Sequence, residues 1–223
     1  MSDLAVYDLD RTVTRRPTYT LFLVHCALRR QQWRLLFVPV VVAAMLAYAL
    51  GLFDRGRLKE ICQWLLIGPR IHPLALKPLV ASFADATVEH NIRPGALKAI
   101  ERDRAQGRRL VLATASYRLY ADAIADRLGF DDVIGTGSFI GLDERVHARI
   151  AGTNWYGEEK MRMIADWVEK SGLKGAHGHV RFYSDHASDA PAFEWADEPV
   201  AVNPHDRLKR LAAARGWAVE DWS

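Results

Sequence analysis

Short apolar runs that end in polar residues recur along the chain, and between them apolar residues return at every third or fourth position. The runs are Leu4-Ala-Val-Tyr-Asp8, Arg109–Thr114, His179–Asp185 and the shorter Pro199–Val202. Continuous apolar runs of this length read as buried parallel strands covered on both faces. Tyr117–Leu128 carries Ala121, Ile124, Ala125 and Leu128 on one stripe before Gly129 stops it, and Glu158–Lys170 carries Met161, Ile164, Ala165 and Val168. Both read as helices. Strands alternating with helices predict an α/β fold, with a doubly wound, Rossmann-like parallel sheet as its core.

Two stretches break the alternation. Residues 135–155 hold Gly135, Gly137, Gly141 and Gly152 around short apolar runs and predict a small hairpin excursion. Residues 18–92 show helical spacing with interruptions at Gly51, Gly68-Pro69 and Pro73, and no strand signal. They are assigned as an all-helical cap domain inserted between the first two strands, with residues 1–17 and 93–223 as the core domain. Arg93-Pro94-Gly95 marks the return.

Composition narrows the function classes. Half of the 223 residues are apolar, enough for one large buried core. A net charge of +3 and a pI near 8.9, with acids mixed among the bases, exclude nucleic acid as the obvious partner. Cys26 and Cys62 lack metal-ligand spacing and read as reduced, packed residues. Residues 1–14 form a strand running into an acidic turn, not a secretory signal, so a cytoplasmic location is the default.

In open α/β sheets ligands bind beyond the carboxyl ends of the strands. There lie Asp8 and Asp10, Thr114, and Asp185 with Asp189, while Lys160 opens the helix before the third strand. A nucleophile, a proton shuttle and positive charge around phosphate oxygens are what phosphoryl transfer requires. Plainer readings exist for each: Asp8-Leu-Asp10 as a turn, Ser116 as the cap of the following helix, Lys160 as a solvated lysine, Asp189 as the cap of a helix from Ala190, and His186 as a loop histidine.

Asp8-Leu-Asp10-Arg-Thr12, Thr114, Gly157-Glu-Glu-Lys160 and Ser184-Asp185-His-Ala-Ser-Asp189, in this order, resemble the motifs of the haloacid dehalogenase superfamily. The likeness is to the subfamily that also contains phosphoserine phosphatase and a bacterial phosphatidylglycerophosphate phosphatase. The resemblance implies that Asp8 is a nucleophile forming an aspartyl-phosphate and Asp10 the acid and base. It implies that Thr114 and Lys160 bind the phosphate, with Ser116 and Arg11 nearby. Arg11 stands where a Gly or Ser is common and is placed near the site mouth. Mg²⁺ is the implied cofactor, held by Asp8 and Asp185 with the main-chain carbonyl of Asp10. Asp189 completes the acidic set and would orient Lys160 or a metal-bound water.

Leu35–Phe53 is a run of 19 residues without charge, close at about 1.5 Å per residue to a bilayer core of about 30 Å. One crossing would separate Asp8 from Asp185, which must share a metal. The run is therefore assigned as a buried cap helix, a membrane-surface or shallow re-entrant segment, or a subunit contact. Arg29, Arg30 and Arg34 before it, with Arg55, Arg57 and Lys59 after it, suit anionic lipid. Val13–Thr20 lacks the acid with which phosphoserine phosphatases receive the substrate amine. The expected activity is hydrolysis of a phosphomonoester, a lipid phosphate such as phosphatidylglycerophosphate being favoured, at the inner membrane face. Phosphoserine or another small metabolite is the alternative substrate. A phospho-receiver domain and a non-catalytic lipid- or partner-binding module are the alternatives of another class.

Overall fold

The computed structural model describes residues 2–151, 158–171 and 177–223. Gly152 and residues 153–155 of the expected excursion, and Gly157 of the Gly-x-x-Lys motif, lie outside the described residues.

The chain begins with strand β1 (Ser2–Tyr7), followed by a tight turn over Leu9–Val13. Helix α1 (Thr18–Arg30), a 3₁₀ turn over Gln32–Phe37, α2 (Val38–Ala49), α3 (Arg55–Leu66), the two-residue strand β2 (Arg70–Ile71) and α4 (Pro73–His90) make up the insert. Then come α5 (Pro94–Ala105), β3 (Arg109–Tyr117), α6 (Arg118–Leu128), β4 (Asp132–Ile140) and β5 (Val146–Ala151). The chain closes with α7 (Glu158–Lys170), β6 (His177–Ser184), α8 (Ala190–Trp195), β7 (Glu198–Val202), α9 (Asp206–Arg215) and β8 (Ala218–Glu220).

The eight strands lie in the order β2-β5-β4-β3-β1-β6-β7-β8, parallel from β4 through β8. β1 is the switch point, with β3 on one side and β6 on the other. Tyr7 is in register with Leu112 of β3 and Tyr183 of β6, so Asp8, Thr114 and Asp185 follow at the same edge of the sheet. β4 leaves β3 after Thr136 and runs antiparallel with β5, forming the predicted hairpin over its described part.

Side chains alternate across β1. Leu4 and Val6 face a core built with α7, α8 and α9, while Ala5 and Tyr7 face a larger one that continues into α1, α3 and α4. The insert thus shares a hydrophobic core with one face of the sheet. Its two ends run side by side: Thr14 bridges Ile92, Arg93 N–H donates to Val13 O (3.0 Å) and Arg15 N–H to Asn91 O (2.7 Å). Gly95 is required just after this crossing, because a Cβ there would come within 2.5 Å of Trp222 Cα.

Two expectations for the insert are corrected. β2 exists, pairing Arg70 and Ile71 with His147 and Val146 of β5; two residues are too few to show a period-2 pattern. The Leu35–Phe53 run is not one buried helix. Pro39 sits in the first turn of α2 and Gly51 takes φ 76° after it, so a 3₁₀ turn, a 12-residue helix and a loop share the run. Gln32–Ala49 is long and apolar enough to cross a membrane, yet only 11% of it is buried, and Val41 is the sole buried residue of α2.

Candidate active site

Asp8 leaves β1 at the carboxyl edge, its N–H still bound to Tyr183 O (2.9 Å), and its buried carboxylate lies on the floor of a cavity of about 220 Å³. One oxygen accepts from Lys160 Nζ (2.7 Å) and the other from the Thr12 hydroxyl (2.9 Å). Lys160, in the first turn of α7, also donates to Asp189 (2.6 Å), which accepts from Ser184 as well (2.7 Å). Burial opposes the charge on Lys160, but Asp189 and Asp8 more than offset it and hold the ammonium above its ordinary value. The solvated-lysine reading is excluded, since Lys160 is only 3% exposed. Asp189 begins α8 without capping it through its side chain.

Asp10 lies two residues on, beyond the turn, and its carboxylate is fixed by three donors: Thr18 N–H and hydroxyl on one oxygen (both 2.7 Å) and the Ser116 hydroxyl on the other (2.6 Å). A hydroxyl can reverse its donor and acceptor roles, so these contacts survive protonation of Asp10. Ser116 is therefore committed to Asp10 rather than to the cavity or to the α6 terminus, where Tyr117 is the cap residue and makes no side-chain cap bond. Thr114 is buried and lines the cavity, its hydroxyl oxygen accepting from Ser116 N–H (3.0 Å). Arg11 and His186 also line the cavity and both are exposed. The turn holds Arg11 at φ 68°, a left-handed conformation that costs a non-glycine residue about 1 kcal/mol, at the cavity mouth. His186 accepts from Ser188 N–H (3.1 Å), which occupies it as a loop residue.

Three buried carboxylates, Asp8, Asp185 and Asp189, face one buried ammonium. Thr12 has a single hydroxyl proton but two carboxylate neighbours, Asp8 at 2.9 Å and Asp185 at 3.3 Å. Burial first, with repulsion from neighbouring carboxylates, raises the pKa of Asp8 and of Asp185 against the pull of Lys160. Excess buried negative charge facing a cavity is what a hard divalent cation would balance, and the donors are all oxygen. The residues fit such an ion, though as a smaller set than expected. No three His, Cys, Asp or Glu side chains among the described residues are grouped to hold a metal. Asp189 is spent on Lys160 and Ser184, and the Asp10 side chain on Thr18 and Ser116, which leaves Asp8 and Asp185 as the carboxylate ligands.

Several participants had no individual role in the sequence. Thr12 was visible in the first motif, whereas Thr18 and Ser184 are ordinary hydroxyls until the fold brings them to Asp10 and Asp189. Arg55 of α3 reaches the cavity from the insert. Behind the site, Asp103 of α5 is fully buried and accepts from Tyr7 (2.5 Å), Tyr183 (3.0 Å) and Arg181. Tyr7 and Tyr183 stack at 4.5 Å and immediately precede Asp8 and Ser184-Asp185, so this buried network fixes both strand ends.

The chain is similar to an inhibition of morphological differentiation protein of Streptomyces azureus, 30% identical over 66% of this chain and 52% of that protein. It is also similar to a histidinol-phosphatase of Neisseria meningitidis, 27% identical over 61% of each. In both cases the match spans less than two thirds of the relative's length. Among solved structures, a protein of unknown function from Bordetella pertussis Tohama I covers all of both chains at TM-score 0.88 and 26% identity. Residues 5–194 match the family described as haloacid dehalogenase-like hydrolase, a span that includes Asp8, Asp10, Thr114, Lys160, Asp185 and Asp189, and the chain belongs to that family.

Proposed function

We propose that the protein is a Mg²⁺-dependent phosphomonoesterase that works through an aspartyl-phosphate on Asp8. The observation that carries this reading is the placement of one Asp8 oxygen against Lys160 while Asp10, held by three donors, lines the same cavity. An Asp8 oxygen attacks phosphorus as the bond to the leaving oxygen breaks, and Asp10 gives that oxygen its proton. Asp10 then takes a proton from the water that attacks the aspartyl-phosphate, releasing inorganic phosphate and restoring Asp8. Lys160 neutralises the nucleophile and the incoming phosphate, and Thr114 donates to a phosphate oxygen. Mg²⁺, held by Asp8, Asp185 and the Asp10 carbonyl, would screen the repulsion between the phosphate and the carboxylates.

A lipid phosphate, taken up at the cytoplasmic membrane face, is favoured as substrate by the exposed apolar surface of α2, with Leu46 62% and Leu50 78% exposed. The basic flanks support this less than their sequence suggests. Arg34 is tied to the carbonyls of Trp64 and Leu65, Arg30 to that of Ile67, and Lys59 is buried. The similarity to a histidinol-phosphatase favours a second reading, a small soluble phosphomonoester.

Hydrolysis of lipid and soluble phosphomonoesters, with Mg²⁺ and with chelator, tests the proposal. Turnover that vanishes in chelator and returns with Mg²⁺ is the expected result, and full turnover in excess chelator contradicts it. Faster turnover of the lipid esters supports the membrane reading; hydrolysis of soluble esters alone supports the second.

A further inference from the structure

A cavity of about 420 Å³ lies where the insert joins the core and shares no lining residue with the catalytic one. Arg15 and Arg16 reach it from the segment that enters the insert, His25 from α1, and Thr87 and His90 from the end of α4. The backbone of this corner is tied by Asn91, whose side chain accepts from Arg16 N–H (3.0 Å) and donates to Arg16 O (3.1 Å). Neither guanidinium is used in these contacts. Among the described residues the exposed side chains of Arg15 and Arg16 have no ion pair and no hydrogen bond. Two free arginines on their own are an ordinary solvated surface, but two further observations point to a ligand. Among the described residues no Asp or Glu lines the cavity; of the α4 acids, Asp85 pairs with Arg127 (2.6 Å), and the exposed Glu89 lies 3.6 Å from His90 Nε2. Thr87, on the wall, is 3% exposed, yet its hydroxyl has no hydrogen-bond partner among the described residues, although a helical threonine can donate to the carbonyl four residues back, here Phe83. A buried hydroxyl left without a partner costs about 1–3 kcal/mol, which a ligand oxygen removes.

We propose that this cavity is a second anion site, which binds a phosphate or carboxylate group between the Arg15 and Arg16 guanidiniums and the Thr87 hydroxyl. A guanidinium fork donates to two oxygens of such a group at once, and the hydroxyl donates to a further lone pair. His25 stands beside the site, its Nε2 2.9 Å from Ser82 Oγ and its ring edge-on to Phe83. Burial, and then Arg29 on the same helix, hold the His25 pKa below its ordinary value, so at neutral pH the positive charge of the site is that of the arginines. Leu21 and Phe83 add an apolar flank. The anion therefore has two sources with the same chemistry, the free inorganic ion and an organic phosphate or carboxylate on a small apolar body. Once bound, it joins the segment that enters the insert to the helix that leaves it. No catalytic residue lines this cavity, so the site stands whether or not Asp8 is a nucleophile.

The test is an NMR titration of the full chain, labelled at histidine, with inorganic phosphate and with phenylphosphonate, whose C–P bond is not an ester. The imidazole signals are followed at constant pH and ionic strength. His25 and His90 should shift saturably, with half-saturation at about 1 mM or below, while His72 and His147, outside the cavity, stay in place. His186 lines the catalytic cavity and reports binding there separately. Replacing both cations, Arg15→Gln with Arg16→Gln, should raise the half-saturating concentration about tenfold or more, and the packing is untouched because both side chains are exposed. Thr87→Val, which keeps the shape of the buried side chain, should raise it about threefold or more. Tighter binding of phenylphosphonate than of phosphate assigns the site to an organic anion; equal or weaker binding assigns it to the inorganic ion. Absence of any shift at His25 and His90, a non-saturating shift that sodium chloride reproduces, or unchanged half-saturation in either variant overturns the proposal.

Discussion

The carboxyl edge of the sheet and helix α2 treat their side chains in opposite ways. At the sheet edge, Asp8, Asp185, Asp189 and Lys160 are charged yet at most 6% exposed, and each is held by named partners. On α2 the residues are apolar yet open to solvent, with Val40 and Val42 each 50% exposed. Burying charge and exposing hydrocarbon are both unfavourable, so neither arrangement arises from folding alone. The difference lies in what completes each. The sheet edge is fixed by the protein's own hydrogen bonds and ion pairs, whereas α2 rests on α3 and the preceding turn with Val41 as its one buried residue.

The comparison is broken most severely at Asp8. Asp8→Asn removes the proposed nucleophile without removing the shape, and turnover should fall on the order of a thousandfold or more, read as kcat on any accepted ester. A residual rate within tenfold of wild type would show that the sheet edge is not the reacting centre. Asp10→Asn should cost about a hundredfold, with the deficit growing as the leaving group becomes less acidic. A deficit independent of leaving-group acidity would remove its role as acid.

Stability separates the same regions. Asp103→Leu takes from the buried Tyr7 hydroxyl its acceptor and from Tyr183 and Arg181 one of their partners, Arg181 keeping Glu198, and should cost about 3 kcal/mol in denaturant unfolding. Leu23→Ala on α1, 1% exposed, should cost about 2–5 kcal/mol. Leu46→Gln on α2 should change stability by less than about 0.5 kcal/mol. A loss at Leu46 as large as at Leu23 would mean that α2 is packed in solution, for example against a second copy of the chain.

A smaller effect sharpens the contrast by pH. Burial lowers the Lys59 pKa from its ordinary 10.5 to about 8, so between these values the unfolded chain binds more protons than the folded one. Wild-type stability, measured relative to Lys59→Met, should therefore rise as pH increases from about 8 to about 10.5. A flat difference across that window would place Lys59 in water.

The strand-helix alternation was legible because a parallel sheet writes continuous apolar runs, and α7 spans the expected Glu158–Lys170. β3 ran on to Tyr117, past the expected Thr114, because its polar end residues are held by the site and not by apolar neighbours. Asp8, Asp10, Thr114, Lys160, Asp185 and Asp189 could be named since each stands at a strand end or helix start. The resemblance already implied that Asp189 would orient Lys160, and the two are 2.6 Å apart; that Ser116 serves Asp10, 106 positions away, is a consequence of tertiary distance. Of the readings held for the α2 run only the buried cap helix is excluded, because apolar composition predicts burial only when the fold supplies a partner, and composition carries no information on whether it does.

The central claim is that Asp8 carries the phosphoryl group. Acid quench during turnover, followed by borohydride reduction and peptide mass spectrometry, reads it directly, because an aspartyl-phosphate is reduced to homoserine while a free aspartate is not. The account predicts homoserine at position 8 in the presence of substrate and Mg²⁺, and none without substrate. Steady hydrolysis with position 8 remaining aspartate, or with the reduced residue found at position 10, 185 or 189, would contradict it.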